Sequence, residues 1–132
     1  MNMITNFSKG ITALTVSITT KTIGGMDTLL YALLSFIIID YITGVILAIK
    51  NKKLSSEIGY KGISKKVALL MIVCMGNIMD KYVLYTGSTL RTMIVMFYLA
   101  NEAISILENV GNIGLSIPKK LKDAIEKLNS EK

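Results

Sequence analysis

The chain has 132 residues, of which 52% are apolar and 18% charged, with a net charge of +6 and a mean hydropathy of +0.54. Soluble domains carry roughly a quarter charged residues, whereas here the charges border long uncharged blocks, so the composition is that of a membrane protein and excludes a multidomain enzyme. With no histidine in the chain, His-based acid/base catalysis, a His-ligated metal and a Ser/His/Asp triad are excluded within one subunit.

The one cysteine, Cys74, sits in the run VALLMIVCM and reads as a small buried hydrophobe rather than a nucleophile. The positive charge does not read as a nucleic-acid footprint, because the lysines lie at the edges of apolar blocks. No cofactor and no metal site is indicated, and the expected surroundings are membrane lipid.

Residues 1–27 lack the pattern of a cleaved secretory signal. Ile11, Leu14 and Ile18, with Val16 and Ile23 more loosely, form a partial helical stripe, which predicts an extracytoplasmic segment with a weak interfacial helix. Lys21 and six threonines between Thr5 and Thr22 make it a poor span.

Residues 28–109 read as the membrane domain. LLYALLSFIIIDYITGVILAI, Leu29 to Ile49, has 17 apolar residues of 21, enough at ~1.5 Å per residue to cross a hydrocarbon core of ~30 Å. The first span is predicted over about 28–49. Lys50 to Lys66 holds six lysines (Lys50, Lys52, Lys53, Lys61, Lys65 and Lys66), three serines and two glycines, and reads as a loop outside the bilayer. Gly59 and Gly62 match neither a P-loop nor a dinucleotide fingerprint and are taken as turn residues. A second span over 66–85 and a third over 90–108 are joined by a short turn at Thr86, Gly87 and Ser88.

The tail, residues 110–132, contains SIPKKLKDAIEKLNSEK. Ser116 as N-cap, Pro118 in the first turn, and Ile117, Leu121, Ala124, Ile125 and Leu128 at helical spacing predict a short amphipathic helix. With three spans, the first loop and the tail share one side and carry eleven lysines, against four basic residues (Lys9, Lys21, Lys81 and Arg91) on the other. The positive-inside rule then puts the N-terminus outside and the C-terminus in the cytoplasm. The fold class is an all-α, multi-pass membrane protein with three transmembrane helices and a cytoplasmic C-terminal helix.

Ionisable groups at mid-membrane are costly unless paired, protonated or wetted, so Asp40 and Glu102 need an explanation. Both lie about twelve residues, ~18 Å, from the start of their helices, and the first and third spans run the same way. Asn77 falls near that level on the second. Asp40, Asn77, Asn101 and Glu102 are thus a candidate polar layer, which either cross-links the helices of one subunit or lines a water-filled space in an oligomer. Gly44 and Ala48 follow Asp40 at four-residue spacing and would let another helix approach closely.

Two stretches carry a family resemblance. In DYITGVILAIKNKKLSSEIGYKGISKK, Asp40, Thr43 and Gly44 form an Asp-x-x-Thr-Gly pattern, with Ala48, Ser55, Gly59, Gly62 and Lys66 following in order. NEAISILENVGNIGLSIPKKLKDAIEKL supplies Asn101, Glu102, Ser105, Glu108, Asn109, Pro118, Lys119 and Leu121. Together they resemble the toxin-secretion and phage-lysis holins of Gram-positive bacteria and their phages. The resemblance covers Leu29 to Leu128, although Val67 to Leu90 matches only in apolar character. It implies a non-enzymatic protein of the bacterial cytoplasmic membrane, that of the host cell for a phage, which forms a homo-oligomer and opens lesions releasing an endolysin or a large toxin. The alternatives are an antiholin-type regulator, and a small ion channel or transporter.

Overall fold

The computed structural model describes residues 2–130, with side-chain surroundings through Lys127; the side chain of Leu128 and all of Lys132, both used in the sequence reading, lie outside that description. Among the described residues the regular structure is helical throughout: α1 (Asn2–Ile23), α2 (Thr28–Lys50), α3 (Ser56–Ile78), which runs into a π-helical turn (Met79–Val83), α4 (Thr89–Ile113) and α5 (Lys119–Ser130). Three stretches are long and apolar enough to cross a membrane: Thr28–Lys50, Ser56–Val83 and Thr89–Ile113.

Local chemistry sets most of these boundaries. The Asp27 side chain caps α2 by accepting the Leu30 N–H at 2.9 Å, and Lys52, at φ 55°, turns the chain out of the helix. Ser55 caps α3 through the Ile58 N–H at 3.2 Å, and Glu57 in the first turn pairs with Lys61 at 3.4 Å. These favourable starts correct the sequence reading of Lys50 to Lys66. The linker is short, Gly59 and Gly62 are helical, and Lys61, Lys65 and Lys66 ride on α3. The tail needs a smaller correction, because the Pro118 carbonyl accepts the first helical N–H groups, from Leu121 and Lys122, and Ser116 stays outside α5.

The bundle centres on α4, which packs mainly on α2 and less on α3; α2 and α3 touch each other little. Leu30, Leu33 and Ile37 of α2, Leu69 and Val73 of α3 and Val95 of α4 form its apolar middle. Each buried seam ends on polar groups. On α2 the spacing that brings Leu30, Leu33 and Ile37 inward next brings Asp40. On α3, Leu69 and Val73 are followed by Gly76, Asn77 and Asp80, and on α4 Val95 lies between Arg91 and Glu102. An apolar plug therefore separates two polar clusters. Large apolar residues such as Ile38, Ile42, Ile46, Met71, Met75 and Met93 point outward, as lipid-facing residues do. Because lipid is as apolar as a leucine side chain, close packing and internal polar contacts hold such a bundle together more than apolar burial does.

Candidate functional site

The first cluster joins all three spanning helices. Lys66 Nζ of α3 donates to Asp40 Oδ2 of α2 and, at 2.6 Å, to Glu102 Oε2 of α4. Each of the three lies about ten residues, or ~15 Å, from the end of its helix nearest the basic linker. The group lies near the middle of the helices, with Asp40 and Glu102 each 7% exposed and the Lys66 side chain 18%. Asn109, two turns beyond Glu102, donates to Asp40 Oδ1 at 3.0 Å and to Thr43 Oγ1 at 3.1 Å. Thr43 turns its hydroxyl back onto the Ile39 and Asp40 carbonyls. One ammonium thus holds two acidic side chains, and Asp40 has a further donor in Asn109; pairing and hydrogen bonding of this kind are what make buried charge tolerable.

Beside the cluster a cavity of about 320 Å³ lies between α2, α3 and α4, lined by Asp40, Tyr41, Gly44, Ala48, Gly59, Gly62, Lys66 and Asn109 among others. Its glycines lie close to neighbouring side chains, at distances where a methyl group would make ordinary contact. A Cβ on Gly62 would stand 3.6 Å from the Tyr41 ring, and one on Gly44 would stand 3.7 Å from Asn109 Nδ2. Where α2 and α4 end, Lys50 Nζ donates to the Asn112 and Ile113 carbonyls at 3.1 and 2.7 Å, so a cation meets the negative end of α4.

The structure brings Asp40 and Glu102 together, as their depths suggest, but gives them a different partner. Asn77 lies in the second cluster, and no hydrogen bond joins Asn101 to the acids. Lys66, which the sequence reading assigns to an extramembrane loop, is the group between them. Asn109 takes the amide role expected of Asn77. One signal in the sequence bears on Lys66: counting back from Val73 and Leu69 at helical spacing reaches it, provided the helix is extended across the lysine-rich stretch.

The second cluster lies at the opposite end of the bundle. Asp80, fully buried, accepts the Leu90 and Arg91 N–H groups at 2.9 and 2.8 Å and the Thr86 hydroxyl, placing a carboxylate on the N-terminus of α4. The Arg91 side chain donates to the Ile23 carbonyl at 2.7 Å, the Gly25 carbonyl at 3.0 Å and Asp27 Oδ2 at 2.7 Å. Asn77 donates to the Lys21 and Thr22 carbonyls. The free carbonyls at the end of α1 are satisfied by α3 and α4 side chains, and Gly24, at φ +96° with Arg91 Nε 2.5 Å from where its Cβ would be, permits the approach. Burial raises the Asp27 carboxyl, but the Arg91 hydrogen bond and charge together with the Leu30 N–H outweigh it and hold the group below the usual carboxylate value. Among the described residues no His, Cys, Asp and Glu side chains are grouped to hold a metal ion.

The sequence profile of the bacteriophage holin family matches residues 17–130. The chain belongs to the bacteriophage holin family. The match takes in both polar clusters, and with three helices able to cross a bilayer it makes this holin-family member a multi-pass protein of the bacterial cytoplasmic membrane. A 14.9 kDa protein from the nagH 3' region of Clostridium perfringens is 42% identical over 133 residues, 100% of each chain. A Listeria monocytogenes protein, Lmo0128, is 43% identical over 102 residues, 77% of this chain and 72% of its own. A probable holin of Bacillus phage phi105 is 38% identical over 94 residues, 71% of this chain and 69% of its own. No solved structure matches the chain.

Proposed function

We propose that copies of this holin-family chain collect in the cytoplasmic membrane with the lysine-rich end of the bundle inside, associate, and open lesions through which a cell-wall hydrolase, or a large toxin, leaves the cytoplasm. The observation that carries the reading is the Asp40, Lys66 and Glu102 cluster at mid-depth. Ionised groups at that level are tolerated while they hold one another. Moving α3 away from α2 and α4 would leave three charges facing lipid, which is affordable only if water enters with the movement. The cluster thus couples helix separation to wetting, and the adjoining cavity offers the space in which wetting starts. No catalytic step, cofactor or nucleic acid enters this reading, and Gly44 and Ala48 serve it as the small residues that leave the cluster approachable from the basic end.

Substitution at position 40 tests it. Asp40→Asn keeps the shape and leaves Lys66 with one carboxylate, so the protein should insert normally and change the onset of lysis. Asp40→Leu leaves the same one-to-one pair beside an apolar wall and should suppress opening. Lysis onset is measured after induction beside a co-expressed cell-wall hydrolase, with membrane levels matched by immunoblot. Wild-type timing for both variants would remove the cluster from the mechanism. Depolarisation without escape of the folded hydrolase would instead favour a small ion channel.

A further inference from the structure

The helix α1 leaves the bundle after its anchored last turn, and none of its described residues is buried. Most of its exposed apolar side chains share one face, with Val16 off it. Ile4 (73% exposed), Phe7 (71%), Ile11 (52%), Leu14 (62%) and Ile18 (57%) follow one another at spacings of three, four, three and four residues. At ~100° per residue these five fall within an arc of about 80°, bordered by Met3.

We propose that this seam is the contact between copies, occupied by α1 of a second copy in parallel. From Ile4 to Ile18 the repeat places isoleucine at every first position (Ile4, Ile11, Ile18) and Phe7 and Leu14 at the fourth, the arrangement that favours parallel two-stranded packing; the next fourth position is Lys21, where the seam stops. The charges fit that occupant as well. Between Ile4 and Ile18 the positions flanking the seam are Ser8, Gly10, Thr15 and Ser17, small and uncharged, so two like copies meet there without repulsion; Lys21, in the anchored last turn, ends the seam. Lys9 projects from the far side. A helix built to lie on lipid would instead carry a broad apolar face opposite a lysine-rich one, whereas the hydroxyls of Thr12, Thr15 and Thr22 are turned onto their own backbone carbonyls.

Parallel alignment is imposed by the membrane. Each copy inserts the same way round, and Arg91 and Asn77 fix the end of α1 to the bundle, so neighbouring α1 helices leave the same face. Two heptads are too short to pair strongly in free solution; confinement in a membrane raises the effective concentration of the partner. The proposal supplies the contact for the association step of the lesion reading and needs no lesion to form.

Disulfide trapping tests it in the full-length protein in native membranes, in a Cys74→Ala background. Single cysteines replace Ile11, Leu14 or Val16, the last lying off the seam, and copper phenanthroline is the oxidant. Ile11→Cys and Leu14→Cys should give several-fold more disulfide-linked dimer than Val16→Cys. Equal trapping at all three positions would reveal random collision and overturn the seam. So would the absence of dimer at positions 11 and 14, whether their thiols react freely with a water-soluble maleimide or are shielded from it by lipid. Lysis is scored in parallel: seam dimers in a protein that never lyses cells would sink the lesion reading and leave the interface standing, and lysis without seam dimers would do the reverse.

Discussion

Lys66 on α3 and Glu102 on α4 meet at 2.6 Å with the carboxylate of Asp40 on the same ammonium, so the three long apolar helices share one ionic node near their middles. The node has two acids and one base. Removing the base should therefore cost far more than removing either acid.

Lys66→Met leaves Asp40 and Glu102 buried side by side without their cation. Breaking a buried ion pair from one side costs about 3–5 kcal/mol, and the expected outcome is a marked fall in the thermal unfolding midpoint of the protein in detergent. Adding Asp40→Leu and Glu102→Leu to Lys66→Met should recover most of that loss, since no charge then remains unpaired. If the triple variant is no more stable than the single one, the node does not account for the effect.

Acid should loosen the α1 anchor. Asp27 lies outside the spans, and its carboxyl is held below the usual value of 3.8. A carboxylate depressed in the folded state contributes stability above its unfolded value and loses that contribution as the pH falls through the folded one. The anchor is therefore constant near neutrality and weakens below about pH 3.8. Protection of the Ile23 to Gly25 amides, measured relative to the intrinsic exchange rate at each pH, should fall in acid for the parent protein and show no such step for Asp27→Asn. Arg91→Met, which strips partners from the Ile23 and Gly25 carbonyls, should accelerate exchange there at every pH, a loss of about 1–3 kcal/mol.

Gly76 sets how closely α3 and α4 approach. A Cβ there would lie 2.6 Å from Ile94 Cδ1 and 3.3 Å from Arg91 Cα. The isoleucine tip can rotate away, but the backbone of α4 cannot, so Gly76→Val should cost about 1–3 kcal/mol as overpacking while Gly76→Ala costs less. Unfolding midpoints of the two variants check the order.

Orientation and the tail are tested in cells. In the Cys74→Ala background, a cysteine at Ser88 should react with an impermeant thiol reagent added outside cells with opened walls, and one at Ser56 should not. The reverse pattern would invert the topology. A chain stopped after Ile117, lacking α5, should still permeabilise membranes with altered timing; loss of all lysis at normal membrane levels would make the tail essential.

The number, order and approximate position of the spans were legible in the sequence, because crossing hydrocarbon demands long uninterrupted apolar runs whatever the fold. The common depth of Asp40 and Glu102 was legible too, since helical rise converts residue count into height. The partners of these groups were not. Lys66 looks like a loop residue because it stands at the edge of a lysine-rich stretch; only the Ser55 cap, which starts α3 about three turns earlier, brings it to the level of the acids. Asn77 and Asn109 have the same side chain and similar apolar neighbours in the sequence. Which of them meets Asp40 depends on how α3 and α4 are rotated about their own axes, and the tertiary structure sets that rotation through close packing at Gly76 and the capping of α4 by Asp80. Composition and periodicity report how deep a residue lies in a membrane helix; which neighbour it faces is decided when the helices pack.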